Sequence, residues 1–133
     1  MLQSINWLAV GAATLAAMVV GSLWYSPLMF MKRWQAELGK TPEQMGNPML
    51  AVGNSVVMYM IAAVGLSMAF SWKGVASLGD ALMTAGTIWL VFVGSMELLH
   101  DRYNGVSAVF SLINCGNTLV SFLAMGAVIQ ALG

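Results

Sequence analysis

The sequence predicts an all-α fold, an integral membrane four-helix bundle with a short interfacial helix between its first and second spans. Three observations lead there. Five Lys or Arg and five Asp or Glu are the only such charges among 133 residues, 59% of which are hydrophobic. The mean hydropathy of +0.81 is too high for a soluble domain of this size, which needs a polar outer face. The charges also gather in the breaks between four apolar stretches. Each stretch is near the ~20 residues that a helix needs to cross about 30 Å of hydrocarbon. Residues 1–133 therefore read as one transmembrane domain, with helices at about 5–28, 49–71, 78–99 and 106–132 and an interfacial segment at about 29–47.

The first span is expected from Ile5 to Leu28. It reads as a retained span and not a signal peptide, because Met1 to Ser4 carry no positive charge and the apolar run is too long. Trp7 near one end and Trp24 with Tyr25 near the other suit amphipathic rings at two membrane interfaces. Pro27 lacks a backbone donor and should loosen or end the helix. Ala9, Ala13, Ala17 and Gly21 recur every four residues, a stripe that lets another helix approach closely.

The following break holds Lys32, Arg33 and Lys40. Phe30, Arg33, Trp34 and Glu37 fall at helical spacing, which predicts a short interfacial helix that Gly39 ends. Thr41-Pro42-Glu43-Gln44 carries the pattern of a capping box with Pro in the first turn. The second span is expected over Met49 to Ser71, bounded by Trp72 and Lys73. Ser77 is positioned to cap the third, with Asp80 at the third helical position favouring the positive end of the helix dipole. That span is expected to reach Leu99, and Asp101 to Gly105 to form the turn before the fourth.

Lys32, Arg33, Lys40 and Arg102 lie on one side of this topology and only Lys73 on the other. The excess of positive charge places the first and third connections in the cytoplasm and both termini outside it. A net charge of zero supplies no field to attract nucleic acid. Cys115 is alone, so it forms no internal disulfide and reads as a soft packing residue. The 12 Met residues do not share one helical face and read as adaptable packing, so no metal site or cofactor is expected.

Polar side chains inside the spans are the candidate site. Gly86, Leu90, Gly94, Glu97 and Asp101 share one face of a regular third helix, and His100 is within reach of Glu97. Carboxylates four residues apart raise each other's proton affinity, so Glu97 and His100 suit a proton or cation site. The plainer alternative has Glu97 reaching water beside Arg102 and His100 as an interfacial residue. On the fourth span Ser107, Ser111, Asn114, Thr118 and Ser121 form a polar stripe, with Asn117 beside it. Thr14, Asn54, Ser55, Thr84 and Thr87 are positioned to answer from the other helices. The stripe suits either a polar path through Glu97, His100, Asn114, Asn117 and Thr118 or interhelical hydrogen bonds that fix register.

Ile5-Asn6-Trp7-Leu8-Ala9-Val10, Gly21-Ser22-Leu23-Trp24-Tyr25-Ser26-Pro27, Thr41-Pro42-Glu43-Gln44-Met45 and Leu112-Ile113-Asn114-Cys115-Gly116 together carry a family resemblance. The chain resembles, nearly end to end, the bacterial membrane family catalogued as domain of unknown function 1761. Trp24, Tyr25, Ser26 and Pro27 are the sharpest element of that signature. The resemblance implies a small four-helix membrane protein and brings no reaction or substrate. The family often carries an aromatic residue and then His after the glycine that matches Gly116; this chain has Asn117 and Thr118 there, so no role for such a His transfers.

The expected function is that of a small inner-membrane protein of bacteria, its partners the lipid bilayer and further copies of itself as a homo-oligomer. Its polar interhelical face would bind or pass an ion or small solute. The alternative is a non-catalytic accessory subunit or stabiliser of a larger membrane complex. Enzyme chemistry is not expected: no Ser-His-Asp set, metal-ligand cluster or phosphate-cradling loop is present in the sequence.

Overall fold

The computed structural model describes residues 2–133; Met1, the first residue of the expected 1–133 domain, lies outside the described residues. A 3-10 turn over Leu2–Ser4 precedes α1, Trp7–Trp24. The short α2 is Met31–Leu38, followed by a 3-10 turn over Pro42–Gln44 and then α3, Pro48–Lys73. The next helix, α4, is Leu78–Asn104, and α5 is Ala108–Leu132. No strand occurs among the described residues. There α1, α3, α4 and α5 are each long and apolar enough to cross a membrane.

Local chemistry sets the ends. Asn6, Asn47, Ser77 and Ser107 cap α1, α3, α4 and α5 through side-chain oxygens that accept from Ala9, Met49, Asp80 and Phe110 N–H groups. Pro48 occupies the first turn of α3, where its missing donor costs nothing. Gly39 closes α2 with φ 72° and Gly105 closes α4 with φ 70°, a left-handed conformation that only glycine adopts cheaply. At Thr41 the Gln44 side chain accepts from the Thr41 N–H at 3.0 Å, but the motif starts only a 3-10 turn.

Two span ends differ from the sequence expectation by more than two residues. The first helix ends at Trp24, not Leu28: Tyr25 already leaves the helical conformation at φ −95° and ψ 19°, and the proline at position 27 disfavours helix in the residue ahead of it. The chain then folds back, with Phe30 N–H donating to the Trp24 carbonyl at 3.0 Å. The third long helix runs to Asn104, so Asp101 to Asn104 are its last turn and not a connecting loop.

The arrangement centres on α5, which packs against α1, α3 and α4 and also receives α2. In its most apolar window 44% of residues are buried, against 11% in α3 and in α4, so those two are peripheral. Ala9, Ala13 and Ala17 are sealed at 1%, 0% and 0% exposure, and the stripe is filled by the chain's own helices. It is therefore not free for a partner. One core forms around Val10, Leu66, Phe70, Ala85, Met125 and Ile129. Close approach there needs small residues: a Cβ on Gly126 would lie 3.0 Å from that of Ala85. At the same end Asn6 Nδ2 donates to the Leu132 carbonyl, tying the first long helix to the last, and Lys73 pairs with Asp80 across the α3–α4 turn.

Candidate functional site

The polar stripe of α5 is where the other elements attach. Ser107 Oγ donates to Glu37 Oε2 of α2 at 2.6 Å, and Glu37 also pairs with Arg33 at 3.1 Å. Ser111 Oγ accepts from Arg102 Nη2 at 2.9 Å. Asn114 Oδ1 accepts from the Tyr25 hydroxyl at 2.5 Å. Thr118 Oγ1 accepts from Trp89 Nε1–H at 2.8 Å and donates to Glu97 Oε2 at 2.7 Å. Ser121 Oγ accepts from the Tyr59 hydroxyl at 3.4 Å. Each stripe residue thus meets a different neighbour, in order from the α2 end toward the middle of the bundle.

The two sequence signatures turn out to be one joint. Trp24 Nε1–H donates to the Ile113 carbonyl at 2.8 Å. Its ring lies on Gly116, where an added Cβ would fall 2.7 Å from the indole. Tyr25 reaches Asn114 in the same motif, and Ser26 Oγ returns to the Leu23 carbonyl at 2.7 Å. Trp24 and Tyr25 are therefore turned toward α5, while Trp7 and Trp72, at 56% and 67% exposure, face outward. Trp34 of α2 stands edge-on to Tyr25, with ring centroids 5.3 Å apart, and stacks on Phe110 at 6.3 Å. In this way α2 covers the end of the polar row.

Glu97 is aimed by a backbone irregularity. Within α4, Trp89–Gly94 is a π-helical turn, with Ser95 N–H bonded to the Leu90 carbonyl five residues back. Such a turn adds one residue and rotates the succeeding positions by about 100° relative to a regular helix. The inward positions run Ala81, Ala85, Trp89, Gly94, Glu97 and Asp101, stepping by five at the π turn. Of the face expected from regular spacing, Leu90 departs, at 63% exposure, while Gly94, Glu97 and Asp101 remain inward. Gly94 makes the step possible, since a Cβ there would lie 2.8 Å from the Trp89 ring.

Several expected partners do not take part. His100 is exposed and, among the described residues, shares no hydrogen bond or ion pair with Glu97. Nor does Arg102 pair with Glu97; it serves Ser111 and the Val106 carbonyl. Thr14, Ser55 and Thr87 return their hydroxyls to their own helices. Asn54 is exposed, and the buried Thr84 hydroxyl has no partner. The answering donors are instead Trp24, Tyr25, Tyr59 and Trp89, aromatic side chains that composition alone presents as packing. Their signal in the sequence is the small residue opposite each of two rings, Gly116 for Trp24 and Gly94 for Trp89.

Two residues complete the site. Cys115 is a buried free thiol on the same turn of α5, and it and Asp101 lie close enough to Glu97 to act on its charge. Asn117, 6% exposed, donates through Nδ2 to the Tyr59 hydroxyl at 3.4 Å, while its Oδ1 has no partner. No group of three or more His, Cys, Asp or Glu suited to a metal occurs among the described residues. A cleft of about 330 Å³ lies at the opposite end, between Ile5, Ser67, Met68 and Trp72, and among the described residues no ionisable side chain lines it. The chemistry of the site is thus the Glu97 carboxylate amid neutral oxygens, with the Asp101 carboxylate one turn further on, an arrangement suited to a proton or a cation.

Fold and site define a class: a helical bundle with four helices of membrane-crossing length and a polar row on its central helix. Residues 8–130 match the family described as "Protein of unknown function (DUF1761)", and the chain belongs to that family. No curated protein and no solved structure gives a significant match.

Proposed function

We propose that this chain is a small integral membrane protein of the bacterial inner membrane whose polar interhelical face binds a proton or small cation at Glu97. The observation that carries the reading is the inward turn of Glu97 by the π segment onto Thr118, with no cationic side chain paired to it among the described residues. An ionisable side chain inside a span is costly, so a carboxylate held within α4 without a counter-ion fits a functional role. Hydroxyl and amide partners along α5 supply the remaining polar lining. The excess of positive charge in the first and third connections favours an α2 end toward the cytoplasm and both termini outside. The peripheral helices α3 and α4 present wide apolar faces, which suit lipid and self-association.

The test is thermal unfolding of the purified protein in lipid nanodiscs, titrated with sodium, potassium and ammonium chlorides against choline chloride and over a range of pH. A saturable rise in unfolding temperature with one small cation or with protons, absent in Glu97→Gln and kept in His100→Gln, supports the reading. A wild-type response equal to that of Glu97→Gln under all these conditions overturns it. Recovery of the protein in the soluble fraction without detergent contradicts the membrane assignment itself.

A further inference from the structure

Gly21 is the odd member of the α1 stripe. Ala9, Ala13 and Ala17 fill their contacts completely, at 1%, 0% and 0% exposure. At Gly21 an added Cβ would meet only one atom within 4 Å, Asn117 Oδ1 at 3.9 Å. That is an ordinary contact, so packing does not require glycine there; alanine would fit. What glycine leaves is a space about the size of a methyl group beside an oxygen that has no hydrogen-bond partner.

That oxygen belongs to a side chain more than nine-tenths buried, at 6% exposure. A buried carbonyl without a donor costs about 1–3 kcal/mol, and nearly all such groups are satisfied in native proteins. The surroundings supply further oxygens: the Tyr59 hydroxyl, 3.4 Å from Asn117 Nδ2, and Ser121 Oγ, 3.4 Å from Tyr59. Both bonds are long beside the usual 2.7–3.0 Å, as in a cluster with room to spare. No cationic side chain takes part in these bonds, and Arg102 is engaged at Ser111, near the start of α5. The missing partner must therefore donate hydrogen bonds and must be very small.

We propose that the space between Gly21 and Asn117 is a binding position for a single hydrogen-bond donor of water to ammonium size. Asn117 Oδ1 is its acceptor, and the Tyr59 hydroxyl backs it. This deepens the proposed function and rests on it for its role: Glu97 is the charged position of the polar face, and Asn117 is a neutral one, set toward α1 and α3.

The experiment is nuclear magnetic resonance of the full chain in nanodiscs, observing the Asn117 carboxamide in wild type, Gly21→Ala and Glu97→Gln, with Asn117→Leu to assign the signal. Cross-relaxation from water to the carboxamide in potassium chloride, lost in Gly21→Ala, supports the position with water as occupant. A saturable shift of the carboxamide on adding ammonium chloride, lost in Gly21→Ala, supports it with ammonium as occupant. Neither signal in wild type, or signals that persist unchanged in Gly21→Ala, overturns the proposal. Should Gly21→Ala fail to fold, the wild-type water and ammonium signals still decide. An unaltered carboxamide response in Glu97→Gln keeps this position even where the carboxylate shows no cation response of its own, so the two readings can fail separately.

Discussion

Near the chain termini, the helices meet mainly through Val10, Leu66, Phe70, Ala81, Ala85, Met125 and Ile129, with polar side chains joining them only at the margin, through Asn6 and the Lys73–Asp80 pair. Toward α2, they meet through Trp24, Tyr25, Trp89, Glu97, Asn114 and Thr118, whose side chains are joined to α5 or within it by hydrogen bonds. The contrast separates what holds the bundle from what the bundle holds. The apolar half alone would join four helices by close packing. The polar half adds aromatic donors, a backbone irregularity and a carboxylate, none of which a packed bundle requires. Stability should therefore depend most on the first half and ligand response on the second.

Substitutions can break that division, taken from the largest expected effect to the smallest. Leu66→Ala, at a site 1% exposed, should lower unfolding stability in mixed micelles by about 2–5 kcal/mol through lost contacts and a cavity. It should leave any cation response at Glu97 in place once folding is secured. Gly116→Ala forces a methyl onto the Trp24 ring and should cost about 1–3 kcal/mol, with the Trp24 indole N–H resonance shifting as its bond to Ile113 is disturbed. Tyr25→Phe and Trp89→Phe each delete one donor to α5, and each should cost only about 0.6 kcal/mol by the same micelle titration. Equal losses for Leu66→Ala and Tyr25→Phe would erase the distinction between the halves.

The same contrast explains what was legible in the sequence. Length and hydropathy show the four long helices, and cap chemistry at Ser77 and Gly39 marks ends that the structure shares. The α5 stripe is legible because Ser, Asn and Thr stand out in an apolar run. Its partners are not, because Trp and Tyr near a span end read equally well as interfacial anchors, and their inward turn depends on glycines in other helices. Regular periodicity also places Leu90 with Glu97, and only the π turn moves Leu90 outward. A single added residue in a helical turn leaves no compositional mark.

The account rests on the direction in which Glu97 points, and paired cysteines measure that directly. In a Cys115→Ala background, Glu97→Cys with Thr118→Cys and Met96→Cys with Thr118→Cys would be oxidised in native membranes and scored for an internal disulfide. The structure predicts rapid cross-linking of the 97–118 pair and little of the 96–118 pair, with the preference kept when Phe92 is deleted, because removing the extra residue lets a regular helix carry position 97 to the same face. Preferential cross-linking of the 96–118 pair in the full-length chain would contradict the account.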